Sequence, residues 1–124
     1  MQAEQLRDLV TAALHDMKGV EVRVLDVRSM TPLMDFMVVV SGTSDRHVKS
    51  LARHVQDQAR AAGIKPMGVE GEQQGEWVLV DLRDVVVHVM RPQVRDFYNL
   101  EKLWSVEVPT EQNSSARVAS RQAR

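Results

Sequence analysis

The stretch Ser41-Gly42-Thr43-Ser44 lies between an apolar run and an amphipathic one. Backbone amides at such a strand-to-helix junction can hold a phosphate. Enzymes that transfer nucleotidyl groups put a Gly-Ser turn there and add two carboxylates on a following strand to hold Mg²⁺. That carboxylate pair is missing: no Asp-x-Asp or Asp-x-Glu falls on any expected strand, and Asp81 and Asp84 are three apart across a turn. Plain capping of a helix by Ser44 is the favoured reading of the turn. Four histidines offer acid–base or metal chemistry. His47 and His54 are two turns apart on one expected helix, too far to share an ion, and His15 has no partner in sequence. His88 is the unusual one, a polar ring inside Val85-Val86-Val87-His88-Val89-Met90. It reads as a satisfied structural histidine or as a contact residue on a working sheet face. No Gly-x-Ser-x-Gly elbow supports a serine triad, and the absence of cysteine removes thiolate zinc sites, cysteine nucleophiles and disulfides together.

The densest recognition chemistry is Glu76-Trp77-Val78-Leu79-Val80-Asp81, then His88, then Arg95 to Trp104. Four of the five aromatics lie between positions 77 and 104. Trp, Tyr and Arg are the types that anchor protein interfaces. Trp77, Leu79 and Asp81 share a face if the segment is a strand. Trp77, Tyr98 and Trp104 fit anchors and core equally well, whereas Phe97 and Leu100 read as packing for a terminal helix.

Elements to position these residues follow from periodicity. Leu6, Leu9, Val10, Ala13, Leu14 and Met17 make one helical stripe that Gly19 should stop. Val20 to Val27 alternates as a strand with one wet face, with Val20, Val22 and Val24 inward. Phe36 to Ser41 is continuously apolar, as in a strand covered on both faces. Ser44 caps a second helix, with Asp45 at its positive end and Val48, Leu51, Ala52, Val55, Ala59 and Ala62 on its apolar face before Gly63. Strands are expected at Lys65 to Glu70, Glu76 to Leu82 and Val85 to Met90, then a short helix from Pro92 through Tyr98. The order α-β-β-α-β-β-β-α predicts one α/β (α+β) layered domain over residues 1–104. Residues 105–124 lack periodicity and apolar mass and read as a flexible tail.

The whole chain of 124 residues is long enough for one self-sufficient core. Its longest apolar stretch, Phe36 to Val40, falls far short of a membrane span. No secretory signal opens it, so the expected location is the cytoplasm. Net charge is −1, without the basic surplus of a phosphate-gripping protein. With Arg117, Arg121 and Arg124 set aside in the tail, the body is mildly acidic and suits a basic protein partner. The tail arginines allow a weak, salt-dependent RNA contact.

The segments WVLVDLRDVVVHVMRPQVRDFYNLEKLW (77–104) and DFMVVVSGTSDRHVKSLA (35–52), with Leu25-Asp26-Val27, closely resemble the ribosomal silencing factor family, RsfS or Iojap. The resemblance runs from about Leu6 to Trp104. One departure is Arg83, where the family usually has glycine. The resemblance implies a nucleotidyltransferase-like mixed sheet of about five strands with flanking helices, without catalytic carboxylates, cofactor or metal. It implies a non-enzymatic repressor of translation in starvation or stationary phase. Such a factor binds the large ribosomal subunit through its universal protein number fourteen and sterically blocks the small subunit from joining. It also implies a homodimer when free. Residue type and motif position then nominate Trp77, Tyr98 and Trp104 as anchors, Asp81, Asp84 and Glu101 as acids facing a basic partner, and His88 and Lys102 as polar contacts. Two other readings stand beside it: a nucleotide- or phosphate-handling enzyme using Gly42 to Ser44 with Asp81 or Asp84, and a pure assembly module. A dimer is also expected because Phe36 to Val40 and the Trp-bearing strand provide more apolar surface than three modest helices can cover.

Overall fold

The computed structural model describes residues 1–104; the expected tail lies outside the described residues. The chain forms α1 (Ala3–Asp16), β1 (Val20–Asp26), β2 (Phe36–Ser41), α2 (Asp45–Ala61), β3 (Gly68–Glu70), β4 (Trp77–Asp81), β5 (Val85–Met90), α3 (Pro92–Tyr98) and α4 (Leu100–Trp104). This is the expected order, with the expected Pro92–Tyr98 helix followed by a second short one, α4. Asn99 separates the two, adopting the left-handed conformation (φ 48°) that ends α3. None of the described helices is long and apolar enough to cross a membrane.

The strands form one mixed sheet in the order β1-β2-β5-β4-β3. β2 and β5 pair in parallel at its centre, Phe36 opposite Val85 and Ser41 opposite Met90, and all other neighbours are antiparallel. α1 and α2 cover one face. Val38, Val40, Val78, Val80, Val85, Val87 and Val89 meet Leu6, Val10, Leu14, Val48, Leu51 and Val55 there in the main core. A smaller core on the opposite face joins Leu25, Val27, Met37, Val39 and Met90, with Trp77, Val94, Leu100 and Trp104 packed against it.

β2 is buried at all six positions, as its apolar run predicts. That removes one reason to expect a dimer, because both faces of Phe36 to Val40 are covered within the monomer. β1 departs from simple alternation. Glu21 and Val22 together oppose one residue of β2, with Glu21 at φ 51°, so the strand is bulged. Leu25 then points into the smaller core while Val20 and Val24 stay exposed on the sheet edge. β3 begins three residues later than expected, since Pro66 has no N–H to donate to a ladder. At the end of α1, Lys18 rather than Gly19 takes the left-handed conformation (φ 61°). Gly19 serves close approach instead: a Cβ there would lie 2.7 Å from Val40 Cγ2.

Candidate functional site

On β4 the alternation is clean. Val78 and Val80 enter the main core, while Trp77, Leu79 and Asp81 share the other face and are each half-buried. Val86, His88 and Met90 of β5 lie across from them, Leu79 opposite His88 and Trp77 opposite Met90. α3 and α4 cover part of this face, leaving a half-open surface that ends in a row of rings. His88 and Trp77 have ring centroids 5.9 Å apart, Trp77 and Tyr98 4.9 Å, and Tyr98 and Phe97 5.0 Å edge-to-face. The row runs from buried His88 (6 % exposed) through half-buried Trp77 to Tyr98 (51 %) and Phe97 (79 %).

His88 fixes the indole. Trp77 Nε1–H lies 3.0 Å from His88 Nδ1. An indole only donates, so Nδ1 accepts and neutral His88 carries its proton on Nε2. Arg91 Nε is the one buried side-chain polar atom without a partner among the described residues. Burial pushes the His88 imidazole down to about 4 and holds it neutral at physiological pH.

α3 and α4 are held in place by Arg95, which is 5 % exposed. Its Nε and Nη2 donate to the two Glu101 carboxylate oxygens at 3.0 and 3.1 Å, and Nη1 donates to Ser41 Oγ at 2.9 Å and the Val20 carbonyl at 3.3 Å. Arg23 adds a second cation, 3.5 Å from Glu101. The Glu101 carboxylate, expected as an acid facing a partner, is engaged internally by Arg95 and Arg23. It positions the helices that carry Tyr98 and Trp104. Two further assignments change. Phe97, expected to pack, is exposed; Trp104, an even choice, packs against the smaller core. Leu100 packs there as expected, and Lys102 is exposed. Asp81 shares the face of Trp77 but lies four residues along, roughly 13 Å away, where its Oδ1 accepts the Arg83 N–H at 2.8 Å. Arg83 sits at φ 76°, the conformation that explains why glycine suits this turn. Asp84 follows it, its carbonyl accepting from the Asp35 and Phe36 amides.

Sequence reasoning missed Phe97 and Leu103 as surface and Arg95 as a buried clamp. α3 spans only seven residues, too few for periodicity to separate its faces, and nothing in a sequence announces that Arg95 will bond across to Ser41.

The alternative phosphate site does not assemble. The Thr43 amide donates to His47 Nδ1 (2.9 Å), the His47 amide to Ser44 Oγ (3.0 Å), and His47 Nε2–H to the Met17 carbonyl (2.8 Å). Gly42 is packed so closely that a Cβ would lie 2.9 Å from the Val48 nitrogen. Ser44 is a helix cap, as favoured, and the Thr43 and His47 amides are already engaged. Asp81 and Asp84 sit at the opposite end of the sheet: Gly42 follows the Ser41–Met90 pair, whereas Asp81 faces Val86. That separation is roughly 13 Å along the strands or more, too far for one metal–phosphate centre. Among the described residues, no group of three or more His, Asp or Glu gathers as metal ligands do.

Comparison with known proteins gives the arrangement a context. The family model described as ribosomal silencing factor during starvation matches residues 1–124. Ribosomal silencing factor RsfS of Chromobacterium violaceum is 46 % identical over 110 residues, covering 89 % of this chain and 90 % of the relative. The Bacillus subtilis protein of the same name is 38 % identical over 104 residues, covering 84 % and 88 %. A crystal structure of a Chromobacterium violaceum protein superposes with a TM-score of 0.83 at 43 % identity, covering 98 % of both chains.

Proposed function

This chain belongs to the ribosomal silencing factor family, and from that premise we propose that it docks on the large ribosomal subunit and keeps the small subunit from joining. Its contact there is the subunit's universal protein number fourteen. The observation that carries the reading is the row of rings on the half-open β4–β5 face. Trp77 and Tyr98 bring large rigid surfaces with polar tips at little entropic cost, the profile of interface anchors. Phe97 extends that surface, Leu103 is exposed on the neighbouring helix α4, and Trp104 packs against the smaller core. Asp81 and Asp84 give an acidic margin for a basic ribosomal protein. His88 Nε2–H and Lys102 add donors.

The mechanism needs no turnover. A domain of this size is roughly 30 Å across, and placed beside a bridge between subunits it excludes the incoming partner by volume. Repression in starvation or stationary phase is then set by concentration and affinity, and it reverses by dissociation in the cytoplasm. In the free protein, Phe97, Tyr98 and Leu103 are the exposed apolar surface that a two-fold homodimer covers, so dimerisation and docking compete.

Sucrose-gradient sedimentation with purified subunits tests this. The protein should travel with the large subunit and not the small one, and preloaded large subunits should fail to form joined ribosomes. Absence from the large-subunit fraction, or binding that leaves joining intact, overturns the reading. Sedimentation of the free protein as monomer up to high micromolar concentration overturns the dimer.

A further inference from the structure

The helical side of the sheet carries a second surface. A cleft of about 570 Å³ opens where the end of α1 meets α2, bordered by Met17, Arg46, Lys49 and Arg53. The three cations fall at i, i+3 and i+7, on one helix face, with steps of about 4.5 and 6 Å along the axis. None of them meets a carboxylate among the described residues. Arg46 lies in the first turn of α2, at the positive end of its dipole, where a cation costs helix stability. Asp45, the acid of the first turn, is drawn off to Arg91 at 2.9 Å. Three unpaired cations on one face, the first of them against the interest of its own helix, are the kind of local conflict that marks a binding surface.

The lining defines the ligand. An open row of cations without an aromatic ring grips a phosphate backbone and leaves bases unread. Asp57 and the pair of His54 with Asp16 (3.5 Å) close the far end, so the row serves two or three phosphates at most. At its near end Gly75, two residues before Trp77, packs on Asp45 and Lys49. The cleft therefore begins around the end of the sheet from the ring row.

We infer that Arg46, Lys49 and Arg53 bind the phosphate backbone of RNA beside the partner engaged by Trp77. That this RNA is the large subunit's own rests on the docking proposed above.

The test is anisotropy of the full chain with a labelled single-stranded RNA of about a dozen nucleotides, titrated from about 50 to about 200 mM salt. The wild type should bind in the weak range of roughly 10⁻⁴ to 10⁻⁶ M, with a logarithmic salt slope of about −2 from three contacts. Arg46→Gln, Lys49→Gln and Arg53→Gln together should flatten that slope and lower affinity about tenfold or more. The triple variant should stay folded, with a melt near that of the wild type, since all three side chains lie on the open face of the cleft. An unchanged affinity and slope, or binding to anionic vesicles with none to RNA, overturns the inference. Trp77→Ala separates the two readings: RNA binding should persist when docking is lost. RNA binding that disappears with Trp77→Ala would place the RNA contact at the ring row and overturn the cleft.

Discussion

Replacing Glu101 with alanine should cost stability first and binding only as a consequence. The guanidinium of Arg95 is buried, and two of its hydrogen bonds go to this one carboxylate. Removing the carboxylate leaves a cation with Ser41 Oγ and the Val20 carbonyl as acceptors and no counter-charge within hydrogen-bond reach. Breaking a buried pair from one side costs about 3–5 kcal/mol. Glu101 retains 16 % of its side-chain exposure, which sets the expectation at the lower end, about 3 kcal/mol. For a domain of this size that lowers the melting temperature by about 12 °C or more. The loss is capped if α3 and α4 detach locally before the sheet unfolds, and faster amide exchange confined to residues 92–104 would show it. Glu101→Gln, which keeps an acceptor without the charge, should fall between the two. The measurements are a thermal melt, hydrogen exchange and large-subunit binding of each variant. A Glu101→Ala protein with an unshifted melt, full protection of α4 and lost binding would refute the reasoning and return Glu101 to the interface.

Trp77→Ala and Tyr98→Ala should each weaken large-subunit binding by about 2 kcal/mol, roughly thirtyfold; Tyr98→Ala should leave the melt near wild type, and intact binding by a folded variant removes that residue from the interface. His88 ties stability to pH: its folded value of about 4 lies below the ordinary 6.5, so the unfolded chain binds more protons between these values. Stability should fall by about 3 kcal/mol as pH drops through that window, and His88→Gln should flatten this part of a pH-dependent urea denaturation series. Arg83→Gly should raise stability by about 1 kcal/mol, because φ 76° strains any side chain; a lower melt would show that Arg83 makes a contact outweighing the strain. A chain ending at Trp104 should fold with an unchanged melt, since residues 105–124 lack periodicity and apolar mass, and should lose less than about tenfold in large-subunit affinity.

Elements with a long period were legible in the sequence, and so were those with an unbroken apolar run. α1, α2, β2 and β5 appear where hydrophobic spacing puts them, and Ser44 caps the helix it was expected to cap. What sequence could not carry is geometry set by distant partners. The alternation of β1 was read one residue too simply because a bulge changes which side chains face inward. Glu101 looked like a free acid because its partner, Arg95, is buried only after α3 folds onto Ser41. The ring row was half visible: residue types nominated Trp77, Tyr98 and His88, but the Trp77–His88 hydrogen bond arises from the cross-strand pairing of β4 with β5.

The parallel pairing of β2 with β5 also governs when this fold can exist. β2 waits for a partner about fifty positions further along the chain, and closing so large a loop is slow compared with forming the hairpins on either side. Until then its side chains, buried at every position in the finished domain, belong to a strand with an open edge, an invitation to the wrong neighbour. The two halves gain stability only together, so a nascent chain released before Met90 is an aggregation hazard rather than half a domain. The domain is complete only after β5 has cleared the ribosome that makes it.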